Sequence, residues 1–367
     1  MKAICVKNYL KEAVYLCEKI SGKNLTLPIL NNILISTEDN ILKITATNLE
    51  LGIEIKIPAK IEKTGKLAIP ANIISNFINS LTADDNIVLE SQQNNLFISI
   101  PNSSTLIKGY NPEDFPILPK TKEEKKHEIL IKDLILGLKS VWYAISFSNI
   151  KPEIASVFIY SGKNAPLTFV ATDSFRLAEK KFNYSIQDLK GLLIPHKTAA
   201  EILRIFDGKE GKIKVNTDNN QLFILTENIK FISRLTEGIF PDYQQVVPQK
   251  FVSDVVVEKN DFINALKTAN IFSGKLNELK IIVGLDNGSI TLNTSSSEAG
   301  EHTTTIKAKV TGEELKMAFN SKYIFECLPH IFPPQIILRF SGEGKPLVIS
   351  GLNDNSFHYL VMPMTNI

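Results

Sequence analysis

The segment IPANIISNFINSL, residues 69–81, has two counterparts in this chain: IPHKTAAEILRIF, residues 194–206, and FNSKYIFECLPHI, residues 319–331. They begin at positions 69, 194 and 319, so each follows the previous one by 125 residues. Apolar residues recur in each at helical spacing, which predicts one amphipathic helix per segment. The core positions that superpose are Ile74, Phe77, Ile78 and Leu81, then Ala199, Ile202, Leu203 and Phe206, then Ile324, Cys327, Leu328 and Ile331. This fixed period predicts three copies of one unit.

A second amphipathic helix repeats earlier in each copy. Its apolar positions are Leu10, Ala13, Cys17 and Ile20, then Ile135, Leu138, Trp142 and Ile145, then Phe262, Ala265, Ala269 and Phe272. Alternating, β-branched segments between and after the helices predict strands at 33–57, 87–107, 222–235, 281–310 and 336–361. Each copy is therefore predicted to run helix, strands, helix, strands.

This order predicts an α+β fold, because two amphipathic helices bury their apolar stripes on antiparallel hairpins that have one buried face. Helix and strand patterns both lapse in the Pro- and Lys-rich stretch 115–126 and again at 241–248. We therefore predict three tandem domains at residues 1–118, 127–243 and 247–367, each near the common size of a single domain.

Composition excludes several classes of protein. The 367 residues are 44% hydrophobic and 22% charged, which is typical of globular proteins. No segment is of signal-peptide type or long and apolar enough to span a bilayer, so a cytoplasmic location without a membrane partner is expected. The scattered Cys5, Cys17 and Cys327 indicate core packing rather than disulfides or a zinc site.

Common catalytic motifs are absent from the sequence. It contains no GxGxxG, GxxxxGK[ST], HExxH or GxSxG, and its five histidines have no metal-ligand spacing. Asp173 has no second carboxylate or histidine near it in sequence, and a solitary carboxylate is poor support for acid–base chemistry. We therefore expect no catalytic residue, no metal and no cofactor.

The net charge of +2 limits any nucleic-acid surface to local patches. Polar positions of the predicted helices carry a modest basic excess, which suits salt-dependent phosphate contact without base reading. On this feature alone, an ordinary solvated helix face is the preferred explanation of the excess. The cations concerned are Lys7, Lys11, Lys19, Lys132, Lys139, Lys197, Arg204, Lys259, Lys267 and Lys322.

Three motifs carry a resemblance to a known family. They are Thr26-Leu27-Pro28-Ile29-Leu30, the run from Ala171 to Ala178 (ATDSFRLA), and the terminal Val361-Met362-Pro363-Met364, with Lys151-Pro152 and Phe240-Pro241-Asp242-Tyr243 in support. In this order, and together with the triple repeat, they resemble the bacterial DNA polymerase III β subunit family from Met1 to Met364. Each motif alone is weak, whereas their order and spacing are specific.

The resemblance implies a sliding clamp, a non-catalytic processivity factor. By likeness to the family, two copies of the chain close head to tail into a six-domain ring around double-stranded DNA, with helices lining the hole. The implied partners are the DNA polymerase III α subunit, the δ subunit of the clamp loader, and other polymerases and repair proteins that carry a clamp-binding motif.

The resemblance also implies a cleft between the second and third domains that takes a short partner peptide with apolar anchors. Adaptable methionines suit such a cleft, and an arginine can orient a peptide backbone or an acidic group. The matching positions are Ile154, Thr172, Arg176, Leu177, Pro241, Val246, Val361, Met362, Pro363 and Met364.

Two further sites are expected from the same likeness. Positions that match DNA-facing residues of the family are Lys23, Asn24, Lys151, His196 and Lys197. For ring closure, an edge strand with Thr105 and Ile107 is expected to meet Ile271 and Phe272 of the partner copy, with Glu298 and Glu301 around them, because exposed strand edges readily accept another strand.

The sequence departs from the family pattern at three places. Ser174-Phe175 stands where Gly-His is common, Gln244-Gln245 where arginine is common, and Thr365-Asn366-Ile367 where the family ends in a basic residue and leucine. These changes bear on the shape and charge of the cleft and predict a partner peptide adjusted to match.

Two alternatives remain open from the sequence. A scaffolding repeat protein would share the architecture without forming a ring dimer or depending on DNA topology. A hydrolase with an unrecognised site would need a pocket containing strongly perturbed titratable groups.

Overall fold

A computed structural model describes residues 1–22, 26–82, 86–101, 103–121, 127–148, 150–187, 189–218, 220–285 and 288–364. The first repeat contains β1 (Lys2–Val6), α1 (Lys7–Ile20), β2 (Asn32–Glu38), β3 (Ile41–Thr47), β4 (Leu51–Lys63), β5 (Lys66–Pro70), α2 (Ala71–Ser80), β6 (Asn86–Gln92), β7 (Asn95–Ile100) and β8 (Ser103–Lys108).

The second and third repeats follow the same plan. The second contains β9 (His127–Leu130), α3 (Ile131–Val141), β10 (Ser156–Gly162), β11 (Ala165–Thr172), β12 (Arg176–Lys181), β13 (Leu192–Pro195), α4 (His196–Phe206), β14 (Lys212–Asp218), β15 (Gln221–Leu225) and β16 (Ile229–Arg234). The third contains β17 (Ser253–Glu258), α5 (Lys259–Ile271), β18 (Glu278–Gly284), β19 (Ser289–Ser296), β20 (Gly300–Lys307), β21 (Lys309–Gly312), β22 (Leu315–Asn320), α6 (Ser321–Cys327), β23 (Gln335–Phe340), β24 (Leu347–Gly351) and β25 (Phe357–Val361).

The six predicted helices are confirmed. Three of their core positions, Ile74, Ile202 and Ile324, are fully buried at equivalent places in α2, α4 and α6. The last helix is shorter than predicted and continues as a 3-10 turn from Leu328 to His330, where Pro329 lacks the backbone N–H that a regular helix needs.

The predicted order omitted one strand per repeat. A short strand, β1, β9 or β17, directly precedes the first helix of each copy. These strands are only four to six residues long, and their apolar alternation merges with the helix that follows, so sequence periodicity does not separate them.

The chain forms two compact units, one of residues 1–131 with 204–235 and the other of residues 132–203 with 236–367. The first unit holds a twelve-stranded sheet with the order β8-β7-β6-β1-β4-β16-β15-β14-β9, to which β3, β2 and β5 add off β4. Since β4 pairs with β16, this sheet is continuous from the first repeat into the second.

The second unit holds two sheets. A nine-stranded sheet has the order β13-β10-β11-β12-β25-β24-β23-β17-β21, and a four-stranded sheet has the order β20-β19-β18-β22. The pairing of β12 with β25, from Arg176 opposite Val361 to Lys180 opposite Phe357, joins the second repeat to the third. The residues expected to form the cleft lie around this junction.

One expectation about the helix surfaces was wrong. Lys7, counted among the solvent-facing cations, is buried at the first turn of α1. The exposed residues of α2 are asparagine, serine and isoleucine, so this helix presents no charge.

Candidate functional site

The turn between β11 and β12 is built by side chains that bond to their own backbone. The Thr172 hydroxyl donates to the Arg176 carbonyl at 2.7 Å and accepts from the Ser174 N–H at 3.1 Å. The Asp173 carboxylate accepts from the N–H groups of Phe175 and Arg176 at 2.9 and 3.0 Å. Ser174 has a φ of 78°, in the left-handed region that favours glycine. The turn leaves the Phe175 side chain 62% exposed.

The C-terminal segment runs beside this turn. The Met362 N–H donates to the Phe175 carbonyl at 2.8 Å, and the Met364 N–H donates to the Ala318 carbonyl of β22 at 2.8 Å. Val361 is buried, whereas Met362 is 36% exposed and Pro363 and Met364 are half-buried. The C-terminal segment therefore carries two adaptable, partly exposed methionines, and the backbone of Met362 is bonded to the turn that carries the exposed Phe175.

Arg176 lies under the turn and is only 7% exposed. Its guanidinium donates to the Asp173 carboxylate at 2.9 Å, to the Tyr143 carbonyl at 2.7 Å and to the Glu326 carboxylate. The ring of Tyr323 is stacked against it, with its centroid 4.4 Å from the guanidinium carbon. Burial alone would lower the pKa of Arg176, but Tyr359, Glu326 and Asp173 outweigh it and raise the pKa.

These contacts give Arg176 a structural role. Three of its five N–H donors are bound within the chain, so this arginine joins the β12 turn to α6. Its expected contact with a partner peptide stays a prediction. Asp173 and Glu326 are its counter-ions, which accounts for Asp173 without acid–base chemistry. Tyr143, Tyr323 and Glu326 were missed because no spacing in sequence relates them to Arg176.

A stacked pair lies next to this cluster. The rings of Tyr143 and His330 are parallel to within 8°, with centroids 4.8 Å apart. Burial lowers the pKa of His330 to about 4, so its imidazole is neutral near pH 7.

The other side of the expected cleft is the segment 239–248, called the linker here. Phe240 and Tyr243 of the linker are buried, while Pro241 and Val246 are exposed. The two aromatic residues belong to one apolar cluster with Ile154, Val170, Leu177, Leu193, Val348 and Leu360. The structure thus brings the expected Ile154 and Leu177 together with linker residues.

Three of the residues expected to face DNA lie on neighbouring segments of backbone: Lys151, His196 and Lys197. The Lys151 carbonyl accepts from the Ala155 N–H at 3.2 Å, and the Ala155 carbonyl accepts from the His196 N–H at 3.2 Å. Lys151 and Lys197 are exposed. Burial, and then the nearby Lys197 charge, lower the pKa of His196. Lys23 and Asn24 lie outside the described residues, as do Thr365, Asn366 and Ile367.

The residues expected at the interface lie on or beside two edge strands. Among the described residues, β8 pairs with β7 alone and β20 pairs with β19 alone. Ile107 is buried and Thr105 half-buried on the inner face of β8, whereas Leu106 on the other face is 46% exposed and was not predicted. Ile271 is 69% exposed at the end of α5, and Phe272 stacks on His302 of β20 with centroids 5.6 Å apart.

Glu298 and Glu301 flank the start of β20. Glu298 lies in the turn before the strand, and Glu301 lies on the strand itself, opposite Ser295 of β19.

Models of one known family match nearly the whole length of the chain. Three models of the DNA polymerase III beta subunit match in order: the N-terminal domain at residues 1–119, the central domain at 129–242 and the C-terminal domain at 244–365. The chain belongs to the DNA polymerase III beta-subunit family. Membership makes it a non-catalytic processivity subunit of DNA replication rather than an enzyme.

Individual members of this family are similar to the chain in sequence and in structure. The beta sliding clamps of Staphylococcus aureus strain COL and Staphylococcus epidermidis RP62A are 28% identical to the chain over 358 residues, which is 94% of each protein. The DNA polymerase sliding clamp of Bacillus subtilis superposes with a TM-score of 0.93 at 26% identity, covering both chains fully. The beta subunit of Pseudomonas aeruginosa superposes with a TM-score of 0.94 at 22% identity and has the same fold.

Two further features concern the described residues. No helix there is long and apolar enough to cross a membrane. In the same part of the chain, no three histidine, cysteine, aspartate or glutamate side chains are grouped as metal ligands would be.

Proposed function

We propose that two copies of this chain close head to tail into a ring of six domains that encircles duplex DNA and slides along it. The observation that carries this role is the match of three clamp-domain models, in order, along the chain. We place the domains at 1–118, 127–243 and 247–367. A ring holds DNA by topology, so it needs only weak, sequence-independent phosphate contacts. Acting on the chromosome places it in the cytoplasm.

Pairing of β8 with β20 of the second copy would close the ring. Because each strand has one free edge, an antiparallel pairing continues both sheets. Such a contact joins two different surfaces of the chain, and two such contacts close a ring of two copies. Thr105 and Ile107 then meet Ile271 and Phe272, with Glu298 and Glu301 beside them.

The DNA-facing residues are the second part of the proposal. Lys151, His196 and Lys197 form one exposed, mainly cationic patch that suits phosphate contact, and we add Lys23 and Asn24 from the family likeness. The neutral face of α2 keeps the basic excess modest, which favours sliding over tight binding.

The third part is the peptide cleft. Val246 and Pro241 of the linker, together with Phe175, Met362 and Met364, supply exposed or half-buried apolar surface in one unit of the chain. We propose that Ile154, Thr172, Arg176, Leu177, Val361 and Pro363 support this surface. Its partners are apolar peptide motifs of the DNA polymerase III α subunit, the δ subunit of the loader, and other polymerases and repair proteins.

Retention on DNA tests the ring. The purified protein is loaded with a clamp loader and ATP onto nicked circular plasmid, half of the sample is linearised, and the protein that remains bound at moderate salt is compared. We expect retention on circles and loss from linear DNA. Equal behaviour on both would support a scaffolding protein that does not encircle DNA.

Peptide binding tests the cleft independently. A fluorescein-labelled peptide with two leucines and a phenylalanine as its anchors is titrated with the protein, and anisotropy is recorded. Val246→Asp and Met362→Asp each place a charge on the apolar surface, so we expect at least about tenfold weaker binding. Ile117→Asp, at a fully exposed site elsewhere, is the control. Unchanged affinity in both cleft variants would refute this location.

A further inference from the structure

The linker contains a 3-10 turn at Tyr243–Val246, and only some of its side chains are buried. Phe240 and Tyr243 point into the apolar cluster, while Ile239, Pro241 and Val246 remain exposed. Its backbone is weakly held, because the bonds from Gln245 N–H to the Asp242 carbonyl and from Val247 N–H to the Gln244 carbonyl are 3.4 and 3.3 Å long. The position of Pro241 and Val246 therefore depends on how the two aromatic side chains are anchored.

Phe240 is anchored by apolar and ring contacts. Its ring lies parallel to that of Phe158 to within 10°, with centroids 4.8 Å apart. Apolar stacking tolerates sliding, since dispersion and hydrophobic burial have little directionality. A directional contact has to come from elsewhere in the linker.

Tyr243 supplies that directional contact. Its hydroxyl donates to the Glu179 carboxylate at 2.5 Å and lies 2.8 Å from the Tyr160 hydroxyl. Burial, together with the nearby Glu179 charge, raises the pKa of Tyr243, so the hydroxyl keeps its proton and remains the donor. Because its single hydrogen points to Glu179, the Tyr160 hydroxyl donates to Tyr243.

Glu179 is a carboxylate in a buried position of the sheet. It lies on β12, is 6% exposed, and is opposite His358 of β25. The Glu179 carboxylate also forms an ion pair with Lys181 at 2.7 Å. A buried carboxylate is costly unless it is bonded, and a hydrogen bond to a charged acceptor is stronger than one between neutral groups. Tyr243 and Lys181 therefore each bind one oxygen of Glu179 and together offset the cost of its burial.

We infer that the bond from Tyr243 to Glu179 is a latch that holds the linker against β12 and thereby sets the affinity of the cleft for its partner peptide, an inference that rests on the proposed function. Tyr243 acts here as a positioning residue, because it is buried and the exposed Pro241 and Val246 would touch the peptide. Apparent affinity falls in proportion to the fraction of molecules with the linker in place.

Three variants test the latch with the labelled peptide described above. Tyr243→Phe removes the donor, and Glu179→Leu removes the acceptor. We expect each to weaken peptide binding about fivefold to tenfold, since a lost charge-assisted bond leaves the linker in place in a minority of molecules. Glu179→Gln keeps an oxygen that accepts from Tyr243, so its affinity should stay within about twofold of the unchanged protein.

Hydrogen–deuterium exchange separates positioning from a general loss of structure. In Tyr243→Phe, the amides of residues 239–248 should exchange faster while those of β23 and β24 keep their protection. Tyr184→Phe is the matched control. The Tyr184 hydroxyl also donates to a carboxylate, that of Asp133 at 2.9 Å, and neither residue belongs to the linker. It should change neither affinity nor linker exchange.

The outcomes distinguish the latch from the proposed cleft. If the unchanged protein fails to bind the peptide, the cleft itself is refuted. If that protein binds while Tyr243→Phe and Glu179→Leu bind equally well, or if Glu179→Gln loses as much affinity as Glu179→Leu, the latch is refuted and the cleft stands. Faster exchange throughout the chain would also refute the latch.

Discussion

Ser174 has a backbone conformation that is sterically unfavourable for any residue with a Cβ atom. Its φ of 78° is in the left-handed region, and its side chain is exposed, so nothing around it selects serine. We expect Ser174→Gly to stabilise the protein by about 0.5–1 kcal/mol, because glycine adopts this conformation without steric cost. Scanning calorimetry measures the gain. Ser185→Gly, at an exposed loop residue outside the left-handed region, should give no gain.

Gly137 lies inside α3, where alanine would normally be the better helix former. A Cβ there would be 2.5 Å from the ring of the fully buried Phe169. We therefore expect Gly137→Ala to destabilise the protein by about 1–3 kcal/mol through overpacking. Urea unfolding measures this effect. Gly162→Ala is the control, since its Cβ would meet nothing within 4 Å, and an equal loss there would contradict the explanation.

His330 makes stability depend on pH. Burial lowers its pKa from the model-peptide value of 6.5 to about 4 in the folded chain. The unfolded chain therefore binds more protons between these values, so the free energy of unfolding is highest above pH 6.5 and falls as the pH drops towards 4. We expect a loss of about 1–2 kcal/mol, reduced by partial exposure of the ring.

The variant His330→Gln tests this assignment. It removes the titrating group, so urea unfolding between pH 6.5 and 4.5 should show a shallower decline than in the unchanged protein. Equal slopes for both proteins would mean that other groups cause the acid dependence.

At the scale of elements, one turn recurs in the first two repeats. Thr47, Asn48 and Leu49 precede Thr172, Asp173 and Ser174 by 125 residues, and Leu49 also has a positive φ, 75°. The Thr47 hydroxyl donates to the Leu51 carbonyl at 2.8 Å, as Thr172 does to Arg176. The first two repeats thus share this turn, and the second adds a buried arginine to it.

The free edges of β8 and β20 predict a strand register. Antiparallel pairing that keeps the inner faces aligned, with Ile107 opposite His302, also places Lys108 opposite Glu301. We expect Lys108→Glu to weaken the dimer by about tenfold or more, because like charges directly opposite repel at both interfaces. Analytical ultracentrifugation measures the dissociation constant.

The reciprocal exchange is the control for that register. The double variant Lys108→Glu with Glu301→Lys restores opposite charges and should recover most of the affinity. If the double variant is as weak as Lys108→Glu alone, the two residues do not face each other.

At the scale of the whole molecule, topology and electrostatics contribute separately to DNA binding. Lys151→Ala with Lys197→Ala removes two exposed cations. The logarithm of the affinity for linear DNA falls linearly with the logarithm of the salt concentration. We expect the slope of this line to become shallower by about two, because each phosphate contact contributes close to one. Loaded protein should still stay on circular DNA. Lys163→Ala with Lys345→Ala, in exposed turns, should leave the slope unchanged.

Sequence by itself determined the triple repeat, the six helices and the family. Helical spacing is a local property, so the apolar positions of α2, α4 and α6 could be read from segments of 13 residues. The order of motifs such as ATDSFRLA and the terminal Val361-Met362-Pro363-Met364 was sufficient for the resemblance that the family models confirm.

Tertiary structure alone decided what each site residue contacts. The pairing of β12 with β25, the burial of Lys7, the enclosure of Arg176 by Tyr143, Tyr323 and Glu326, and the bond from Tyr243 to Glu179 all join residues far apart in the chain. Periodicity reports which face of an element is buried, but it carries no information about which distant side chain lies opposite. That choice depends on sheet register and packing, which exist only once the whole chain has folded.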